Sequence, residues 1–199
     1  MVKPGLRGYA GIVVYADDFV VCFQYKDEAE RFYERLKHRM GHFGLELEES
    51  KSRLIEFGRF ADEYRRKRGQ GKPETFDFLG FTHYCSKSRS GKFRVKRKTS
   101  RKKFARKCKE VNRWIAGMRI LPLQEIIKKV NRMLVGYYHY YGITDNYNSL
   151  ADFKYLTVKN LFKWLNRRSQ KRSYTWKQFG YLMNMFPLAK PRIYVSIYG

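Results

Sequence analysis

The chain has 199 residues, 43% of them apolar and 31% charged, and a formal net charge of +25. This composition excludes a disordered chain and suits one ordinary domain or two small ones. No apolar run is long enough to span a bilayer, so the polyanion expected to balance the charge is nucleic acid rather than a membrane surface.

In chain order, Ile12–Tyr15 and Phe19–Phe23 are short runs of β-branched and aromatic residues flanking Ala16-Asp17-Asp18, the pattern of a β-hairpin. Asp27 to Gly44 reads as a helix, with Asp27 as N-cap and Ala29, Phe32, Tyr33, Leu36 and Met40 as its buried stripe. Leu45 and Leu47 begin a short strand, Leu54–Phe57 another, and the Gly-rich segment from Asp62 to Glu74 is expected to be a loop. Phe76–Tyr84 and Lys92–Val95 form a second hairpin around Ser88–Gly91. Beyond it the apolar spacing is helical over Ser100–Met118, Leu123–Tyr141, Asn148–Arg168 and Thr175–Met185, with Pro122 and Gly142 as punctuation and a short strand possible at Pro191–Val195. The expected fold class is therefore α+β. A strand-rich domain spans 1–86 and a basic helical domain 87–199, with the change of character between Ser86 and Ser100.

Cys22, Cys85 and Cys108 are odd in number and widely spaced, so no disulfide framework is expected. They form no zinc pattern with His38, His42, His83 or His139, and the first residues lack the apolar stretch of a signal peptide. A reducing compartment fits, either bacterial cytoplasm or an organelle, and secretion does not.

Tyr15-Ala16-Asp17-Asp18 is the most informative tetrapeptide. Alone, two aspartates on a turn are usually a solvated turn. Between two strands of buried type, in so basic a chain, they suit a different task. Phosphoryl transfer to a primer hydroxyl uses divalent ions held by hard oxygen ligands, and a hairpin turn can present carboxylates to them in the open.

Val14–Val21 resembles the signature of reverse transcriptases in its group II intron version. The resemblance implies that Asp17 is a direct Mg2+ ligand of a two-metal site and Asp18 its auxiliary, with Tyr15 and Ala16 beside the primer and nucleotide. Gly44–Leu47 with Lys51-Ser52 is similar to the family's next block, which implies that Lys51 lies near the active site, although an ordinary solvated charge explains it equally well. Thr75–Phe81 is similar to the block whose backbone approaches the primer, at Leu79 and Gly80, while Phe76, Phe78 and Phe81 are expected to pack. Phe57-Gly58-Arg59 through Gly69–Pro73 looks like the intron-type enzymes. Trp114–Asn148 and Phe153–Trp176 resemble their maturase domain, a helical thumb that binds template–primer and intron RNA.

The implied architecture is a partial polymerase palm, β-hairpins with a packed helix, followed by an all-helical thumb bundle. The family's metal site needs a further aspartate from a strand earlier than Tyr15, and nothing here matches that strand or the fingers; Asp27 and Asp62 fall on a helix start and a loop. The chain alone is thus expected not to extend a primer unless a separate N-terminal fragment completes it. The sequence shows no Cys/His-rich nuclease pattern, so that activity is not expected of this chain.

The basic residues concentrate in two places. Between Lys87 and Arg113 there are fourteen Lys or Arg and one acid, Glu110. The RNA-binding candidates there are Lys92, Arg94, Lys96, Arg97, Lys98, Arg101, Lys102, Lys103, Arg106 and Lys107, and a second cluster holds Lys163, Arg167, Arg168, Lys171 and Arg172. One short run is usually a solvated face, but two runs with almost no acids point to phosphates. In Tyr137–Tyr141, helical spacing turns Tyr137, Tyr138 and Tyr141 inward with Leu134 and leaves His139 and Tyr140 free to meet RNA. Three readings follow: a fragment of an RNA-directed DNA polymerase with maturase function, a non-catalytic RNA-binding module assisting intron folding, or a reverse transcriptase domain of a defence or retroelement system.

Overall fold

A computed structural model describes residues 5–169, 171 and 173–198. The chain divides into two compact units, Met1–Glu74 and Thr75–Gly199.

In the first unit, β1 (Ala10–Tyr15) and β2 (Asp18–Phe23) pair antiparallel, with Ala10 opposite Phe23 and Tyr15 opposite Asp18. Helix α1 (Lys26–His42) follows, and Phe32 meets Phe23 of β2 with ring centres 5.2 Å apart. Its N-cap is Tyr25, not Asp27: the helix begins at Lys26, so Asp27 lies in its first turn, where it pairs with Arg7 and Arg31. The expected stripe of α1 is only half-buried; Glu28 is the buried residue of the helix and accepts the Arg7 amide at 2.6 Å.

Ala61–Lys67 forms helix α2 where a loop is expected from the sequence. Asp62 pairs with Arg66 and Glu63 with Lys67, acids toward the N-terminus and bases toward the C-terminus, an order that suits the helix dipole. Gly69, at φ 67°, follows the helix. The strands expected at Leu45–Leu47 and Leu54–Phe57 are not formed, since neither segment finds a pairing partner. The strongest departure concerns the first hairpin. Its apolar flanks suggest a buried element, yet Ile12, Val13, Val14 and Tyr15 are all exposed, Val13 to 59%.

The second unit opens with a three-stranded antiparallel sheet in the order β3 (Phe76–Phe78), β4 (Phe81–Lys87), β5 (Phe93–Thr99). Four helices follow: α3 (Arg101–Gly117), α4 (Leu123–Tyr141), α5 (Tyr147–Leu165) and α6 (Trp176–Met185). Helix α4 is central. Ile126, Val130, Leu134 and Tyr138 recur every four residues and are fully buried. They share one core with Val111 and Ile115 of α3, Leu150, Phe153, Leu161 and Leu165 of α5, and Phe179 and Leu182 of α6. Phe104 meets Phe153 near the starts of α3 and α5, and Trp164 donates to Asn112 near their ends, so these two helices run in the same direction.

The tyrosine cluster of α4 packs as its spacing implies. Tyr137 stacks on Phe153 at 3.7 Å, and burial pushes the Tyr137 and Tyr138 hydroxyls well above the ordinary phenol range. The tail from Pro187 is held along α4 by Asn131, which donates to the Pro187 carbonyl and accepts the Ala189 amide. It ends in a single parallel bridge between Val195 and Ile143 rather than a strand. With six helices and two small antiparallel sheets among the described residues, the fold is α+β, a partial palm joined to a helical bundle.

Candidate metal-binding turn and nucleic-acid interface

Because Tyr15 pairs with Asp18, only Ala16 and Asp17 lie in the turn of the first hairpin. Asp17 therefore sits at the tip, and Asp18 is the first residue of β2; both are exposed. Ala16 has φ 52°, a left-handed conformation that an alanine adopts only at a cost of about 1–2 kcal/mol. A strained non-glycine residue beside two solvent-facing carboxylates suits a turn that presents ligands. The pair offers the hard oxygens magnesium takes, but no group of three or more His, Cys, Asp or Glu among the described residues is arranged to hold a metal ion. The turn thus fits part of a donor set.

Lys51 lies in the same unit, exposed after a turn closed by its own amide on the Glu48 carbonyl. Among the described residues, no hydrogen bond or ion pair joins it to Asp17 or Asp18. The Ser50 hydroxyl first, and then the Lys51 charge, hold the Glu48 carboxyl below its usual value.

Leu79 and Gly80 belong to the second unit. They form the two-residue turn between β3 and β4, at φ 50° and 80°. Both turn carbonyls are occupied: Leu79 accepts from the Tyr140 hydroxyl at 3.3 Å and Gly80 from the Ser100 amide at 2.9 Å. Tyr140 also stacks on Phe81, and His139 stacks on Tyr194 at 4.0 Å.

The basic residues sort by geometry. On β5, alternation places Arg94, Lys96 and Lys98 on one face of the sheet. There Arg94 lies 3.6 Å over the Tyr198 ring and Lys98 5.6 Å over Tyr84. Arg97 falls on the opposite face, across from His83, with its Nη1 buried and without a hydrogen-bond partner. Burial, and secondarily the Arg97 charge, lower the His83 pKa from its ordinary value. Lys92 is exposed after the hairpin turn.

Helix α3 is divided cleanly. Phe104, Cys108, Val111 and Ile115 face the core, while Lys102, Arg106, Lys109 and Arg113, offset from them by two residues, are all exposed. The outward stripe runs over most of a helix about 25 Å long. Glu110 engages Arg106 and Lys107 at its flank, and Arg101 and Lys103 flank its start. Lys109 and Arg113 are missing from the candidates drawn from charge density alone; the i, i+4, i+7, i+11 spacing from Lys102 identifies them.

At the far end of the parallel α3–α5 pair, Lys163, Arg167 and Arg119 surround Trp164 at 5.0, 5.4 and 5.9 Å from its ring centre. Arg168 donates to the Leu121 carbonyl. Sequence reasoning misses Arg119, which is distant in the chain and isolated in composition. Lys171 is exposed, and Arg172 lies outside the described residues. No helix among the described residues is long and apolar enough to cross a membrane.

Two known families match successive parts of the chain. Residues 4–83 match the family model for reverse transcriptase (RNA-dependent DNA polymerase). Residues 94–181 match that for the group II intron maturase-specific domain. No curated protein and no solved structure matches the chain. The first match holds the aspartate turn, and the second holds the basic end of β5 and the helices with their outward stripe. A reverse transcriptase segment followed directly by a maturase-specific domain is the order of one family, and the chain belongs to it, as the C-terminal portion of a group II intron reverse transcriptase/maturase.

Proposed function

We propose that the second unit binds structured RNA, intron RNA and template–primer alike, and that the first unit contributes Asp17 and Asp18 to a two-metal nucleotidyl-transfer site completed by acidic residues outside this segment. The observation that carries the RNA reading is the partition of α3, where four cations point to solvent along one line opposite the core residues. Lys and Arg spaced along a rigid rod track a phosphate backbone and gain affinity by releasing its counterions. Arg94, Lys96 and Lys98 on β5 extend the basic surface beside tyrosines, and the Trp164 cluster with Lys163, Arg167 and Arg168 adds a further patch.

Reverse transcriptases use Mg2+, which when bound activates the primer hydroxyl and offsets charge on the leaving pyrophosphate. In this reading Asp17 would hold that ion from the turn tip, and Asp18 would support it from the strand end. Tyr15 and Ala16 fix the turn, Lys51 neutralises phosphate charge nearby, and the Leu79–Gly80 turn lies along the primer. Further acidic ligands would come from fingers and the first half of a palm, outside these 199 residues. A second reading, an RNA-binding maturase module that does not polymerise, needs only the maturase-specific segment and its outward basic stripe.

Two experiments separate these readings. In the first, RNA binding is titrated against salt. If about six to ten phosphates are contacted, the log–log slope is near −0.7 to −0.9 per contact. Replacing Arg101, Lys102, Lys103 and Arg106 with Ala weakens binding and flattens the slope by about three; unchanged affinity and slope refute the interface. In the second, a fragment carrying fingers and the first palm half is added. Primer extension that depends on Mg2+ and is abolished by Asp17→Ala supports the catalytic reading. Activity retained in Asp17→Ala refutes the ligand assignment.

A further inference from the structure

Three segments far apart in sequence meet at the tip of the β4–β5 hairpin. The hairpin contributes Ser88, Arg89, Ser90, Arg94 and Lys96 to an open cleft, and Asp145 from the loop between α4 and α5 forms its other wall. The tail closes the back. Thr144 donates both its amide and its hydroxyl to the Val195 carbonyl, the Ile197 amide donates to Thr144 Oγ1, and Tyr198 is thereby carried against β5. There the Tyr198 hydroxyl donates to the Val95 carbonyl at 2.7 Å and reaches Asp145 Oδ2 at 3.3 Å. Its ring backs the Arg94 guanidinium at 3.6 Å.

Two features of this cleft are unexpected for a surface that only grips phosphates. First, it contains a carboxylate. Asp145 makes no ion pair among the described residues, although Arg89, Arg94 and Lys96 line the same cleft. It is also held at φ 74°, a backbone conformation that costs energy for any residue but glycine and costs least for Asn or Asp. Second, the Arg94 guanidinium lies 3.6 Å over the centre of an aromatic ring, a partner that holds it beside the cleft. Flat guanidinium planes and aromatic rings are the platforms on which unstacked RNA bases rest, and a carboxylate is an acceptor for base N–H donors.

We infer that this cleft is a nucleotide subsite that takes one unpaired base of the bound RNA and favours guanine. The inference rests on the RNA-binding reading above and deepens it. The base stacks on the Arg94–Tyr198 platform, its backbone phosphate lies among Arg89 and Lys96 with the Ser88 and Ser90 hydroxyls, and its edge faces Asp145. Guanine alone presents two parallel donors, N1–H and the N2 amino group, that match both oxygens of a carboxylate. Cytosine offers one amino donor, while adenine and uracil place an acceptor where a second donor is needed.

The test measures binding of the full chain to a short RNA hairpin whose uridine loop holds one guanine, and to the same hairpin with adenine or inosine there. The guanine loop is expected to bind about tenfold more tightly than the adenine loop, with inosine, which lacks the N2 amino group, between them. Asp145→Asn keeps a residue suited to φ 74° and offers the amide that pairs with adenine, so the preference collapses or reverses while the salt slope stays the same. Arg94→Lys keeps the charge but not the plane, and lowers affinity for every loop without changing the slope. Equal binding of all three loops, or a guanine preference that survives Asp145→Asn, overturns the subsite while leaving general RNA binding in place. Absence of binding to any hairpin overturns both. GMP should displace the guanine loop where AMP does not. If GMP binds more tightly than the loop, a free nucleotide and not RNA is the ligand, and the inference fails.

Discussion

Replacing Asn146 with alanine tests what joins the basic strand β5 to the helices. Asn146 is fully buried at the start of α5. Its Oδ1 accepts the Thr99 amide at 2.8 Å, and its Nδ2 donates to Thr99 Oγ1 and to the Tyr141 carbonyl, each at 2.9 Å. One side chain thus ties the end of β5, the end of α4 and the start of α5 together. In Asn146→Ala the Thr99 amide is left buried without an acceptor, at about 1–3 kcal/mol, and two further hydrogen bonds worth about 1 kcal/mol each are lost. The Tyr141 carbonyl suffers least, because it also accepts the Ile143 amide at 2.9 Å. The expected destabilisation is about 3–4 kcal/mol, equivalent to roughly 10–15 °C in Tm for a unit of this size. Urea and thermal unfolding followed by near-ultraviolet circular dichroism measure it, with the exposed Asn148→Ala as a control that shifts stability by less than about 0.5 kcal/mol. A loss below about 1 kcal/mol for Asn146→Ala would show that packing, not this amide, couples sheet to helices.

Other perturbations probe separate features. A Cβ at Gly142 would press on the backbone oxygens of Tyr138 and Arg192, so Gly142→Ala should release the tail and expose Tyr198 to iodide quenching or proteolysis; an unchanged digestion pattern would contradict the docking. His83 is held neutral in the fold, chiefly by burial and then by Arg97, whereas its unfolded imidazole takes a proton near pH 6.5. Stability should therefore be complete above that pH and decline as pH falls from it toward the lower folded value. His83→Phe, which keeps the stack on Phe76, should flatten Tm between pH 7 and pH 5. The exposed apolar strand β1 should make the RNA-free chain self-associate, and Val13→Thr with Val14→Thr should reduce this without changing RNA affinity. A monodisperse wild-type monomer in sizing experiments would count against that reasoning.

Much of this protein is determined locally and is therefore legible in the sequence. The limits of α4 follow from Pro122, Gly142 and an unbroken three-and-four spacing of apolar residues, and the aspartate turn follows from two β-branched runs separated by polar residues. Its family signature is local too, because it is a run of adjacent residues, Val14–Val21. Helix α2 was masked by Gly-rich neighbours, though its own i, i+4 ion pairs were in view. What tertiary structure alone decided depends on partners distant in the chain. The strands expected after α1 did not form because pairing requires a neighbour that periodicity cannot supply. Strand alternation sent Arg97 to the opposite face from Arg94, Lys96 and Lys98, a distinction that charge density does not contain. Arg119 came to Trp164 only because α3 and α5 run parallel. Asp145, Arg94 and Tyr198 meet only through the docking of the tail, since a cleft formed by three separated segments leaves no periodic trace in any one of them.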